Sequence, residues 1–124
     1  MPDERTFSIA ARVRSVHYAL AGLWLMLKTQ HNAWIHLAAT VSVCAGGILL
    51  RISASDWRWL VVAIVMVWIA EALNTAFEHL CDVVSPEFHA SVKRSKDISA
   101  GAVLICAGGA ACIGLMVFLP YLVR

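Results

Sequence analysis

Residues 57–80 read WRWLVVAIVMVWIAEALNTAFEHL, an apolar run whose first half contains one charge, Arg58, and whose second half contains two glutamates. A helix needs about 20 mostly apolar residues to cross a hydrocarbon core about 30 Å thick, and this run is long enough. Two other stretches also qualify, residues 33–50 and residues 98–120. The sequence therefore predicts three transmembrane helices.

Residues 7–28 precede these spans and form an amphipathic segment. Arg12, Arg14 and Lys28 accompany an apolar stripe whose members recur at the helical spacings of three and four: Val13, Val16, Leu20, Leu23 and Leu27. This pattern is typical of a helix that lies along a membrane surface in contact with lipids. Acidic residues near the start, with no continuous apolar core before residue 30, also argue against a signal peptide.

The composition favours a membrane protein over other classes. Of 124 residues, 60% are hydrophobic and only 15% are charged, whereas soluble domains carry about 25% charge. Gly and Pro number only 7 and 3, which excludes collagen-like and disordered chains. A formal net charge of +2 provides no basic stripe, so we expect no nucleic-acid partner. The expected fold is an all-α membrane protein, a surface helix plus three spans, in one domain over residues 1–124.

The distribution of Lys and Arg predicts the orientation of the chain, because these residues are more frequent in cytoplasmic segments. Seven lie before the first span or between the second and third, and three lie on the other side: Arg5, Arg12, Arg14, Lys28, Lys93, Arg94 and Lys96, against Arg51, Arg58 and Arg124. We therefore expect the N-terminus and the second connecting segment to lie in the cytoplasm.

The second span is expected to extend beyond the hydrocarbon at its cytoplasmic end. Asp56 is a suitable N-cap, and Ser85 before Pro86 is a suitable end, because the residue before a proline disfavours the helical conformation. The helix would then contain about 28 residues and measure about 42 Å.

The polar groups of this span share one helical face. At about 100° per residue, all of them fall within an arc of about 100°: Glu71, Asn74, Thr75, Glu78 and Asp82. At about 1.5 Å per residue, Glu71 lies about 21 Å along the run and Glu78 about 32 Å, which places Glu71 inside the cytoplasmic leaflet. A carboxylate at that depth costs a few kcal/mol, faces protein or a water-filled cavity, and indicates a functional site. The alternative is a neutral Glu71 that forms a structural hydrogen bond with Asn74 or another helix.

The segment after this span combines acidic and basic residues. Glu87 and His89 precede the sequence Lys93-Arg94-Ser95-Lys96-Asp97. Carboxylates beside cations at a membrane surface suit a divalent metal that carries a phosphate. Taken alone, a basic run of this kind is more often a cytoplasmic orientation signal. Neither a Walker sequence nor a G-x-G-x-x-G motif occurs, so a nucleotide site would have to be built differently.

These residues together resemble the signature of a known family. The pattern E-x-x-N-[ST]-x-x-E-x-x-x-D over residues 71–82, followed by His89 and Lys96-Asp97, resembles that of the small prokaryotic diacylglycerol kinases, which include undecaprenol kinases. The resemblance covers nearly the whole chain. It implies a homotrimer that transfers the γ-phosphate of ATP, with Mg²⁺, to a lipid alcohol at the cytoplasmic face. Both diacylglycerol and undecaprenol remain open as the lipid.

The resemblance also implies roles for individual residues. Glu71 would be the catalytic base, Asn74 would position Glu71 or the lipid, and Glu78 would bind the metal. The expected ATP site comprises Tyr18, Glu78, Glu87, His89, Lys96 and Asp97. Gln30 stands where the family commonly has a second metal-binding glutamate, and it can offer Mg²⁺ a carbonyl oxygen but no charge. Asp82 is another possible donor.

Two further features leave alternatives open. Ala11 replaces an arginine expected from the family, and either Arg12 or Arg14 could substitute for it. The loss of a metal-binding glutamate at Gln30 also keeps a second hypothesis open, a non-catalytic oligomeric scaffold or ion-relay protein of the same fold. In the third span, small residues recur every four positions and favour close helix packing: Ala102, Cys106, Ala110 and Gly114.

Overall fold

The computed structural model describes residues 7–123, in which four helices and no strands occur. The helices are α1 (Ile9–Thr29), α2 (His31–Leu49), α3 (Ala54–Val84) and α4 (Ala90–Leu122). Helices α2, α3 and α4 are long and apolar enough to cross a membrane. The predicted all-α fold with three spans is thereby confirmed. Four residues used above lie outside the described residues. Two are the acidic residues that argued against a signal peptide, Asp3 and Glu4, and two were counted for the orientation, Arg5 and Arg124.

Ser53, rather than Asp56, is the N-cap of α3, so the predicted cap was wrong. The Ser53 hydroxyl accepts a hydrogen bond from the Asp56 amide at 3.1 Å and donates one to Asp56 Oδ2 at 2.8 Å. Asp56 is already in the first turn, where a carboxylate interacts favourably with the helix dipole. The predicted end is confirmed, because α3 stops at Val84 with Ser85 as its C-cap. The helix contains 31 residues.

Helix α4 begins within the segment expected to connect the second and third spans. His89 caps it, with Nδ1 accepting a hydrogen bond from the Ser91 amide at 3.2 Å. Residues 93–97 therefore occupy the first turns of α4, where Lys93 and Asp97 form an ion pair of 2.7 Å across one helical turn. Hydropathy identified only the apolar part of this helix, because its first two turns are polar.

Helices α3 and α4 form an antiparallel pair that is tied at both ends. At one end, Tyr121 Oη donates to Asp56 Oδ2 at 2.6 Å and accepts from the Ser53 amide at 3.0 Å. At the other end, Lys96 Nζ donates to Asp82 Oδ1 at 2.9 Å. The charged turns of α4 are thus held beside the last turns of α3.

The turn between α2 and α3 depends on a glycine. A Cβ atom at Gly47 would lie 2.8 Å from two ring carbons of Trp57 and 3.1 Å from Ile52 Cδ1. The chain reverses through Arg51, which has a positive φ of 51°. Trp57 packs in turn beside an apolar cluster of Ile52, Leu60 and Val117.

We expect Gly47→Ala to lower the free energy of unfolding by about 1–3 kcal/mol, because the Trp57 ring must move to accommodate the methyl group. Thermal unfolding in detergent measures the effect. Gly108→Ala is the matched control, since a Cβ atom there meets nothing within 4 Å and alanine favours a helix by up to about 1 kcal/mol. Equal stability of the two variants would contradict the packing described here.

An apolar cleft of about 560 Å³ lies between α2, α3 and α4. His36 and Thr40 of α2 are its polar lining groups. Ala110 and Gly114, from the small-residue edge of α4, also line it, and a Cβ atom at Gly114 would meet nothing within 4 Å. In the described chain this part of the edge therefore borders a cavity rather than a closely packed helix.

Candidate functional site

The polar face of α3 contains the most deeply buried polar side chains among the described residues. Glu71 is 1% exposed, and Asn74 and Thr75 are each 6% exposed. Glu78 is half-buried and Asp82 is exposed, so the face runs from the interior of the chain to its surface. The burial of Glu71 agrees with the expectation that it faces protein rather than lipid.

His36 of α2 lies directly against the Glu71 carboxylate. The distance from His36 Nε2 to Glu71 Oε2 is 3.3 Å, and the His36 side chain is 14% exposed. The two groups are not aligned as a hydrogen bond, and within residues 7–123 neither Glu71 oxygen has another hydrogen-bond partner. Sequence reasoning assigned His36 no role. The available signal was a single histidine in a span without charges.

Asn74 connects the buried part of this face to its surface end. Asn74 Nδ2 donates a hydrogen bond to Glu78 Oε1 at 3.3 Å. Asn74 Oδ1 and Thr75 Oγ1 are buried and have no partner in the described part of the chain. Within residues 7–123, Glu71, Asn74 and Thr75 thus each contribute a buried oxygen without a hydrogen-bond partner to this face of α3.

The cationic groups lie on the first turns of α4, next to the carboxylates at the end of α3. Lys96 is half-buried and is hydrogen-bonded to Asp82, whereas Lys93 is exposed and pairs with Asp97. Glu87 and His89 are exposed in the segment between the helices. This end of the α3–α4 pair presents both signs of charge around one surface.

Among the described residues, Tyr18 and Gln30 are not part of this hydrogen-bonded set. Tyr18 is 69% exposed on α1. Gln30 is half-buried at the junction of α1 and α2, and its side chain makes no capping hydrogen bond there. Over residues 7–123, neither residue forms a hydrogen bond or an ion pair with Glu71 or Glu78.

The donor set at this site suits Mg²⁺ that arrives with a nucleotide. No group of three His, Cys, Asp or Glu side chains that could hold a metal occurs among the described residues. Mg²⁺ is usually held by one or two carboxylates together with substrate phosphates and water, rather than by a complete cage of protein ligands. Glu78, half-buried at the surface end of the polar face, provides one carboxylate of this kind.

Comparisons with known proteins identify the family of this chain. The sequence profile of the prokaryotic diacylglycerol kinase family matches residues 17–118. The chain is 36% identical to an undecaprenol kinase of Bacillus subtilis, in a match covering 88% of this chain and 89% of that protein. It is 37% identical to a diacylglycerol kinase of Synechocystis, over 86% of this chain and 61% of that protein. The matched region contains the polar face of α3, His36 and the first turns of α4, and the chain belongs to the prokaryotic diacylglycerol kinase family.

Proposed function

We propose that this chain transfers the γ-phosphate of ATP to the hydroxyl group of a membrane lipid, with Glu71 as the base. Its family membership makes it a multi-pass bacterial membrane protein and a lipid kinase. The observation that supports the site is a carboxylate only 1% exposed within a helix able to span the membrane. The same family membership does not favour the non-catalytic scaffold considered above.

The proposed reaction needs one proton acceptor at the hydroxyl group. The lipid oxygen forms a bond to the γ-phosphorus, the bond from that phosphorus to the bridging oxygen breaks, and ADP leaves. The hydroxyl proton passes to a Glu71 carboxylate oxygen. Phosphoryl transfer is accelerated mainly by positioning and by neutralisation of charge on the phosphate, so little other covalent chemistry is required of the protein.

The ATP site is proposed at the surface end of the polar face. Glu78 would hold Mg²⁺, with Gln30 as a further neutral oxygen donor, and the metal would neutralise phosphate charge. Lys96 provides an ammonium group beside the end of α3. The other proposed contacts to the nucleotide come from Tyr18, Glu87, His89 and Asp97, all exposed in the single chain.

The proposed assembly is a homotrimer with the ATP site facing the cytoplasm. The excess of Lys and Arg before α2 and around the start of α4 supports this orientation. Many large apolar side chains are exposed in the single chain, which provides surface for both lipid and neighbouring subunits. Mass measurement in native-like detergent tests the trimer, and a monomer that is fully active would overturn it.

The activity is tested by supplying both lipids in competition. Purified protein in mixed micelles receives equal amounts of diacylglycerol and undecaprenol with labelled ATP and Mg²⁺. We expect label in phosphatidic acid or in undecaprenyl phosphate, and the ratio of the products identifies the preferred lipid. If neither product forms while the protein remains folded, the proposed function is wrong.

A further inference from the structure

His36 and Glu71 form a buried contact between two helices. Glu71 Oε2 lies 3.3 Å from His36 Nε2. Over residues 7–123, neither Glu71 oxygen has a hydrogen-bond partner, and His36 Nε2 has none either. Polar groups buried in this way are costly unless a partner compensates for lost water, and here each group is the nearest compensation for the other.

The His36 ring lies against Trp68, whose indole is itself hydrogen-bonded to α2. The ring meets the edge of the Trp68 indole, with ring centroids 6.4 Å apart and an interplanar angle of 68°. Trp68 Nε1 donates to Thr40 Oγ1 at 3.0 Å, and the Thr40 hydroxyl donates to the His36 carbonyl at 2.7 Å. The imidazole therefore packs between the Glu71 carboxylate and an indole that Thr40 holds in place.

The contact between His36 and Glu71 is close but is not aligned as a hydrogen bond, and this geometry is common at catalytic sites before substrate binds. Catalytic hydrogen bonds are often long or poorly aligned before substrate binds, and they tighten in the reacting complex. The close contact of His36 is to Oε2 at 3.3 Å, and Oε1 has no hydrogen-bond partner among the described residues. The two oxygens of the carboxylate are therefore not equivalent.

We infer that His36 is a positioning residue for Glu71: its Nε2 holds Glu71 Oε2 and leaves Oε1 to accept the proton of the lipid hydroxyl. This inference rests on the proposed function of Glu71 as the base. A neutral imidazole carries one N–H donor, which is sufficient for one carboxylate oxygen. Its role is to fix the side-chain rotamer of the base.

The test compares His36→Leu with His36→Gln. Leucine removes the donor, and we expect kcat to fall by about 10- to 100-fold, the size typical of lost orientation at a catalytic group. KM for the lipid and for ATP should stay unchanged, because neither substrate contacts His36 in this scheme. Glutamine places an amide N–H near the position of Nε2 and should restore most of the kcat.

A double variant separates positioning from a general loss of structure. If His36 acts through Glu71, adding His36→Leu to Glu71→Gln should cause almost no further loss of activity, because groups that act as a unit are not additive. His31→Leu is the matched control, since His31 is exposed on the same helix. We expect it to retain normal kcat.

Three results would overturn the inference. They are a normal kcat in His36→Leu, a glutamine variant no better than the leucine variant, and full additivity with Glu71→Gln. The failure of the proposed function is distinct, since it would appear as full activity in Glu71→Gln or no activity in the unaltered protein. Thermal unfolding of each variant in detergent identifies any that fails to fold. If the leucine variant does not fold, a folded glutamine variant that has lost most of its kcat would by itself contradict the inference.

Discussion

Glu71→Gln is expected to lower kcat for lipid phosphorylation by about 10²- to 10⁴-fold, the usual contribution of a general base. Glutamine keeps the size of the side chain and its contact distance to His36, but it cannot accept the hydroxyl proton. The substitution preserves the volume of a side chain that is only 1% exposed, so we expect the protein to remain folded. Single-turnover transfer of labelled phosphate to lipid measures the effect.

Asp56→Asn is the matched control for this experiment, because it neutralises a carboxylate on the same helix at the opposite end. Asp56 interacts with Ser53 and Tyr121, so this variant should lose some thermal stability and keep its kcat. Unchanged kcat in Glu71→Gln would remove Glu71 from the role of base and leave its contact with His36 as a purely structural one.

Glu78→Gln is expected to raise the Mg²⁺ concentration needed for half-maximal rate by more than tenfold. Loss of an outer-shell partner alone typically weakens metal binding by about 10- to 100-fold, and Glu78 is proposed as a direct ligand. The glutamine amide can still accept the hydrogen bond from Asn74 Nδ2, so the local packing should persist. The measurement is the initial rate against Mg²⁺ concentration at fixed ATP and lipid.

Two outcomes of the Glu78 experiment have different meanings. A rate that recovers at high Mg²⁺ supports direct metal binding by the carboxylate. A lowered kcat with unchanged Mg²⁺ dependence would contradict it and would indicate that Glu78 acts only by holding Asn74. The Asp56→Asn variant again provides the control, since it removes one negative charge from α3 without altering this end of the helix.

The spans and the polar face of α3 could be predicted because each depends on one helix at a time. Apolar length identifies a span, and the helical period places Glu71, Asn74 and Glu78 on one side without knowledge of any neighbour. The end of α3 before Pro86 was predictable for the same reason, since a proline restricts the conformation of the residue before it.

The features that were missed depend on which of several nearby residues begins a helix, or on contacts between helices. Ser53 and Asp56 both suit a cap, and only the backbone shows that the hydroxyl occupies that position. The start of α4 was missed because hydropathy reports membrane contact rather than helicity. The contact between His36 and Glu71 joins residues from different helices, so no periodic pattern in the sequence could reveal it.

The ties between α3 and α4 have a consequence for how related chains are recognised and redesigned. Tyr121 and Lys96 join both ends of this pair, so Glu71 belongs to a helix whose position is set largely by α4. Its histidine neighbour belongs to α2, outside that pair. Transplanting residues 71–82 into another membrane helix would therefore copy the carboxylates without copying the geometry around them. A useful search or design template has to include the facing positions on α2 and the ends of α4.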